Sequence, residues 1–386
     1  MTVPNLFQRG LRAAGARVNV PLYHALFPRR RLPIQPTHRV GLFKADGLGD
    51  FVLALGAIRA LLDRFGTENC ILITSPAARD FARHEFPELD QVIVTPFSGR
   101  LWRTWAHLRH LRSTPLFQHG VNDLISLRHH RYLHQDLLIA SIPSQRTFGL
   151  QKSPCSFAGE ASQGRLRFDQ EALCPAIVRA GWCLDLECHQ TLLDLVSGTS
   201  SDPKQTVPRL SSRELVEREP WVAVAPYGAH PIRDLPISLI AELSRHLATR
   251  HRLGLRLLSS PSQAPRLTRD VETLRWAGVP DVQLMVTPDL AGLVMAIDRT
   301  RLLVATETAT AHLGAAADAP MVGIIGGGHY GRFAPWIRSN RQRWVEWKLP
   351  CFGCNWSCIH SSPLCITDLP PRLVLTTIDE LLDTTF

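Results

Sequence analysis

Short apolar runs alternate with amphipathic stretches along most of the chain. Residues 39–44 (RVGLFK) read as a buried parallel strand, and the turn ADGLGD follows. Next comes a strongly periodic segment that places Val52, Leu55, Ile58, Leu61, Leu62 and Phe65 on one helical face. Strands are expected at 71–74, 91–95 and 123–127, with helices near 77–86 and 101–111. Residues 150–170 are polar and irregular and read as a loop over a functional site. A second series starts at Trp221. Strands are expected at 222–226, 255–258, 282–286, 301–305 and 321–325, with helices at 237–250, 264–277, 287–297 and from Ala309, and a last helix at the C-terminus. Strand–helix alternation of this kind marks doubly wound α/β domains.

The 386 residues exceed one ordinary core, so two domains are expected. Residues 1–37 form an N-terminal extension and 38–200 a first Rossmann-like domain. The Ser- and Pro-rich 201–220 is a linker, 221–367 a second Rossmann-like domain, and 368–386 a C-terminal helix. In the extension, apolar residues at helical spacing alternate with Arg before Arg29-Arg30-Arg31. It suits either peripheral contact with an anionic membrane surface or a helix packed on its own domain.

A hydrophobic content of 45% and a charged content of 20% are those of a soluble globular protein. No apolar run is long enough to span a membrane, and no export signal is visible, so a cytoplasmic location is expected. The net charge of +9 favours anionic partners. No nucleic-acid module signature accompanies it, so nucleic acid is not an expected partner.

Polar groups gather where strands end. In Lys44-Ala45-Asp46-Gly47-Leu48-Gly49-Asp50, the glycines allow a tight turn and close backbone approach. Asp50 is either a helix N-cap or a general base at the sheet edge. Lys44, Asp46 and Arg128 are acceptor-side candidates in the same half. In the second half, the loop PYGAHPIRDLP brings Arg233, a candidate for bidentate phosphate binding or an ordinary surface Arg. The stretch 302–336 joins two apolar strands through Glu307, Thr308, Ala309 and His312. Thr308 is placed to cap the helix, and His312 is either a ligand-facing or a core histidine. The stretch continues into Gly326-Gly327-Gly328-His329-Tyr330-Gly331-Arg332, where Gly327, Gly328, His329 and Arg332 suggest an anion site. Of nine cysteines, four crowd into Cys351-x2-Cys354-x3-Cys358-x6-Cys365. A structural zinc or iron site, buried reduced thiols and disulfides are all open for them.

In this order the pieces resemble glycosyltransferase family 9, the lipopolysaccharide heptosyltransferase family. Gly49-Asp50 and the following LALGAIRAL match its first motif. GAHPIRDLP matches its second, with Arg233 at a Lys position and Leu235 at a Trp position. Residues 307–316 match its third, with Glu307 for Asp and Ala309 for Gly. The resemblance implies a GT-B fold, two Rossmann-like domains facing each other across a cleft. It implies inverting hexosyl or heptosyl transfer from a nucleotide-diphosphate sugar to a lipopolysaccharide-core or other cell-surface glycan, anionic or lipid-linked, at the inner face of the cytoplasmic membrane. No cofactor is implied for catalysis. Asp50 would be the base, and Gly49, Arg233, Glu307, Thr308, Ala309 and His312 would serve the donor. Members of the family carry a similar Cys cluster. The second reading, prompted by Glu307 and Ala309, is a nucleotide-sugar-binding or scaffold protein without transfer.

Overall fold

A computed structural model describes residues 38–94, 110–128, 133–151, 168–175, 182–211 and 216–385. The expected N-terminal extension, most of the expected helix at 101–111 and most of the loop at 150–170 lie outside these residues. The chain divides into two compact units at Thr206/Val207, and Leu48–Leu55 is assigned to the second.

The first unit is a parallel sheet in the order β3-β2-β1-β4-β5-β6. Its strands are β1 (Val40–Lys44), β2 (Cys70–Thr74), β3 (Asp90–Ile93), β4 (Val121–Ser126), β5 (Ser144–Leu150) and β6 (Gln170–Ala172). β1, β2 and β4 are buried along their whole length, as strands covered on both faces must be. The order reverses beside β1, which pairs with β2 on one side and β4 on the other. The crevice outside the carboxyl end of such a strand is where ligands bind in open α/β sheets.

The helical segment after β1 is two helices, α1 (Leu48–Leu53) and α2 (Leu55–Phe65), where periodicity suggests one. The chain tightens at Ala54, whose N–H donates to the Phe51 carbonyl at 3.0 Å. Gly56, at the start of α2, lies so close to the Pro203–Thr206 turn that a Cβ would meet the Thr206 backbone at 2.5 Å. Helices α3 (Arg79–Glu85), α4 (Pro115–His119), α5 (Leu133–Ser141) and α6 (Asp185–Ser197) complete the described helices of this unit. α6 packs on β5 and β6.

The second unit repeats the pattern in the order β12-β11-β10-β7-β8-β9. The strands are β7 (Glu219–Ala225), β8 (Gly254–Ser259), β9 (Val282–Val286), β10 (Thr300–Thr306), β11 (Met321–Ile325) and β12 (Gln342–Glu346). Here the switch lies between β7 and β10, which pair in parallel. The edge strand β12 was not expected from the sequence. Its Trp344 lies against Gly323 of β11, where a Cβ would meet the ring at 2.4 Å. The helices are α7 (Ile237–His246), α8 (Ala264–Trp276), α9 (Leu290–Arg299), α10 (Ala309–Ala316), α11 (Leu364–Thr367) and α12 (Pro371–Thr385). Asp289 caps α9 by accepting from Gly292 N–H at 2.8 Å. Among the described residues, no helix is long and apolar enough to cross a membrane.

The helix expected to run to Arg250 ends at His246 and continues as a π turn, Leu247–His251. Its five-residue repeat brings His246 and His251 to one carboxylate. Asp379 Oδ1 on α12 is 2.7 Å from each Nε2 and 3.2 Å from Arg250 Nε. Burial disfavours the charged Asp379, but the hydrogen bonds to His251 and His246 outweigh it and hold the carboxyl below its usual range. The stabilisation from this depressed value is present above the unfolded-state value and is lost as pH falls through the folded one. Asp379→Ala is expected to cost about 1–2 kcal/mol at pH 7. Thermal melts of both proteins should show the difference narrowing only below the ordinary carboxylate range.

Candidate functional site

In the second unit, the carboxyl ends of β7 and β10 meet around a buried carboxylate. Glu307 is 2% exposed. Arg233, on the Pro231–Arg233 turn after β7, donates from Nη1 to the Glu307 carbonyl at 3.0 Å and to Glu307 Oε2 at 3.3 Å. Thr306 Oγ1 donates to the Arg233 carbonyl at 2.7 Å and holds that turn in place. His312 Nε2 lies 3.5 Å from Glu307 Oε1. Burial acts to raise the Glu307 carboxyl, but His312, Arg233 and His329 together hold it below its usual range. Arg233 is therefore committed to Glu307 and is not an ordinary surface Arg. Leu235, two residues on, is buried in the core of this unit.

Trp336 was not foreseen as a site residue. Its Nε1 donates to His312 Nδ1 at 3.3 Å. An acceptor Nδ1 places the proton of neutral His312 on Nε2, facing Glu307. Trp344 Nε1 in turn donates to the Trp336 carbonyl at 2.6 Å.

Thr308 stands at the N-cap of α10, but its hydroxyl donates to the Thr306 carbonyl at 3.1 Å and does not cap the helix as expected. No side chain caps α10, so its first-turn N–H groups form a positive helix end. Helix α1 packs on α10. Gly49 sits so close that a Cβ would lie 3.4 Å from Ala309 Cα and 3.5 Å from both Ala309 N and His312 Cδ2. Asp50 is in the first turn of α1, inside the helix, so the N-cap alternative does not hold.

The glycine-rich loop differs from expectation. Gly327 N–H donates to Cys365 Sγ at 3.4 Å, which commits that amide away from phosphate. The Gly327 and Gly328 carbonyls accept from Gly353 and Asn355 N–H at 2.8 and 3.0 Å. Phe352 lies against Gly327, and Trp356 against Gly326 and Gly328. His329 Nε2 pairs with Asn355 Oδ1 at 3.1 Å. Burial, with Arg332 nearby, pushes His329 down to about 4. His329 is thus neutral at pH 7, and the charge in this loop is that of the buried Arg332.

A family model described as glycosyltransferase family 9 (heptosyltransferase) matches residues 189–360. Over that stretch the chain is similar to family 9 glycosyltransferase domains. The chain is also similar to ADP-heptose LPS heptosyltransferase II of E. coli, at 17% identity over 90% of this chain and 99% of that one, with a TM-score of 0.62. A family 9 glycosyltransferase of Veillonella parvula gives 12%, 92%, 99% and 0.66 for the same measures. The iron-containing dodecameric glycosyltransferase TibC of enterotoxigenic E. coli gives 14%, 92%, 79% and 0.51. No curated protein matches the sequence. The two parallel-sheet α/β domains are those of the GT-B architecture, and the enzyme class is glycosyltransferase.

In the first unit of this glycosyltransferase, Lys44, Asp46 and Arg128 come together at the switch point. Asp46 lies 3.2 Å from Lys44 Nζ and 2.7 Å from Arg128 Nε. Both cations are almost fully buried. The Asp46 backbone carbonyl accepts from Ser75 Oγ, and Gln135 Nε2 donates to the Ala45 carbonyl at 2.8 Å. The triad's charges thus face one another.

The thiols of Cys351, Cys354, Cys358 and Cys365 share a neighbourhood. Burial raises Cys354 and Cys365, and the other thiols of the set add to the effect. No three of these sulfurs lie within 4.8 Å of one another, however, and Cys358 donates to the Ser362 carbonyl at 3.5 Å.

Burial disfavours the charged form of Asp46, but Arg128 and Lys44 outweigh it and lower the carboxyl to about 2. Asp46→Asn removes the carboxylate that two buried cations share and is expected to destabilise the fold by about 3–5 kcal/mol. Because the folded value is depressed, that stabilisation is full above the unfolded value of 3.8 and is lost as pH falls towards about 2. Urea unfolding of both proteins at pH 7 and at a pH below that unfolded value measures the gap. Equal midpoints at pH 7 would refute the assignment.

Proposed function

We propose that the protein is an inverting, metal-independent glycosyltransferase that moves a sugar from a nucleoside-diphosphate donor to a glycan hydroxyl. Asp50 takes the proton of the acceptor hydroxyl as its oxygen attacks the anomeric carbon from the face opposite the diphosphate. The bond from carbon to diphosphate oxygen breaks, and the leaving group gains negative charge. The amide of Ala309, its neighbours in the first turn of α10, and Arg233 receive that charge. Groups fixed in advance for it lower the barrier because they bind the transition state more strongly than the ground state. Glu307, Thr308, His312 and Arg332 hold this arrangement or add to its charge. The observation that carries the reading is the seating of Gly49 against Ala309 and His312. It joins the helix of the base and the donor-side helix end in one compact unit.

The first donor to test is ADP-heptose. Structural relatives hold ADP-2-deoxy-2-fluoro heptose in E. coli WaaC and ADP-D-β-D-heptose in TibC. The acceptor we infer is an anionic lipopolysaccharide-core or other lipid-linked or cell-surface glycan, in keeping with the +9 charge. Transfer would then take place at the inner membrane face, with the basic N-terminal segment as the membrane contact. Cys351, Cys354, Cys358 and Cys365 would hold a structural zinc or iron, with no part in transfer, only after their sulfurs draw closer than they stand here.

Asp50→Ala is expected to lower transfer by about 10²–10⁴-fold while a donor still raises the melting temperature. Full activity in that variant removes Asp50 from the base role. A wild-type protein that is stabilised by a nucleotide sugar, yet neither transfers nor hydrolyses any of a donor panel, would instead be a non-catalytic binder. Arg233→Ala leaves Glu307 without its counter-charge beside the diphosphate. It is expected to weaken ADP binding by about 10–100-fold, or about 1.4–2.7 kcal/mol, in calorimetry. Unchanged affinity would contradict the placement of the diphosphate.

A further inference from the structure

Seven of the nine cysteines fall into two groups, and the second group lies in the other unit, far along the chain from the family motifs. Cys174 follows the edge strand β6, Cys183 precedes α6, and Cys188 is in the first turn of α6. All three are buried, at 0%, 3% and 1% exposure. Cys188 Sγ lies 3.3 Å from Cys183 Sγ and 3.6 Å from Cys174 Sγ. All three sulfurs lie within 4.8 Å of one another.

We propose that Cys174, Cys183 and Cys188 form a structural metal site that takes one thiophilic divalent cation, zinc(II) in the first instance. Sulfurs at about 2.3 Å from a tetrahedral zinc stand about 3.8 Å apart. The observed separations reach that edge length with shifts of a few tenths of an ångström. A disulfide fits less well. It needs sulfurs at about 2.05 Å and joins only two of them, whereas Cys188 is shared between both neighbours. Small-residue packing also accounts poorly for the set, because three thiols from three separate positions converge on one point.

On binding, each thiol loses its proton to solvent as its sulfur–metal bond forms, and no oxidation state changes. Three protein sulfurs leave one tetrahedral position for a ligand from outside this trio. The ion would tie the end of β6 to the start of α6. β6 is three residues long and forms the sheet edge, and α6 packs across it and β5. Such a short edge strand has few hydrogen bonds of its own to hold it, so a staple there has a clear mechanical role.

A second candidate, His246, His251 and Asp379, is better read as a hydrogen-bonded clasp. Both imidazoles approach the same oxygen, and the Arg250 guanidinium sits beside it and opposes a cation.

The test uses the full chain, purified under reductant and stripped with chelator. In a Cys351→Ser/Cys354→Ser/Cys358→Ser variant, cobalt(II) is expected to give thiolate-to-cobalt charge-transfer absorption that saturates at about one ion per chain. The band should disappear when Cys174→Ser is added. In wild-type protein, zinc(II) is expected to slow alkylation of Cys174, Cys183 and Cys188, read by peptide mass spectrometry, and chelator to restore it. This second readout needs no substitution and stands if a variant fails to fold. Absence of the cobalt band in a folded variant whose thiols are shown to be reduced would overturn the proposal. So would labelling rates indifferent to zinc and chelator, or a Cys183–Cys188 or Cys174–Cys188 disulfide in the freshly isolated protein.

Discussion

Glu307 sets the terms for the second unit. A carboxylate buried at the carboxyl end of β10 stays ionised only if other elements bring it partners. Arg233 comes from the turn after β7, and His312 from α10. Removing one partner of a buried pair costs about 3–5 kcal/mol, so these elements cannot drift independently. The constraint spreads outward. Thr306 pins the Arg233 turn, Trp336 fixes the His312 ring, and Trp344 on β12 fixes Trp336. The same pairing matters for the N-terminus of α10. Glu307 precedes that helix end and would cancel part of its positive field, but Arg233 and His312 take up its charge instead.

The three glycines after β11 answer to a different constraint. A Cβ on Gly326, Gly327 or Gly328 would meet Trp356 or Phe352 at 2.5, 2.3 or 2.2 Å. The loop is a seat for the cysteine-bearing segment, whose Gly353 and Asn355 amides bond its carbonyls and whose Cys365 sulfur accepts its Gly327 amide. A phosphate cradle and an aromatic seat both need backbone without side chains. A glycine run therefore says that something approaches closely, and only tertiary structure says what.

This limit runs through the whole reading of the sequence. Central strands were legible because burial on both faces makes them continuous apolar runs. The edges were not: β12 alternates weakly, and β6 is too short to show a period. The break at Ala54 has no local signal in a strongly periodic segment, because the crowding comes from the distant Pro203–Thr206 turn. The clustering of Arg233, Glu307 and His312 could be anticipated from their positions at strand ends. Their supports were missed, because Trp336 and Asn355 act on His312 and His329 from 24 and 26 residues away, with no spacing rule to reveal them. The capping role expected of Thr308 fails because its hydroxyl has a nearer partner in the Thr306 carbonyl, and the Gly327 amide is taken by Cys365, 38 residues along the chain.

The two units use the same electrostatic device at their switch points. In the first, Asp46 sits between Lys44 and Arg128. In the second, Glu307 lies among Arg233 and the histidines, with Arg332 acting on His329 beside it. A buried lysine or histidine without a partner would be driven towards its neutral form, and an arginine out into water. A central carboxylate keeps its neighbours in place and fixed in direction. A charge held there acts more strongly than the same charge on a surface lysine, because salt screens an exposed charge within about 8 Å at physiological strength and a buried one much less. A net charge of +9 attracts anions of any kind. Two compensated clusters at the switch points, where open α/β sheets bind ligands, would add position to that general attraction.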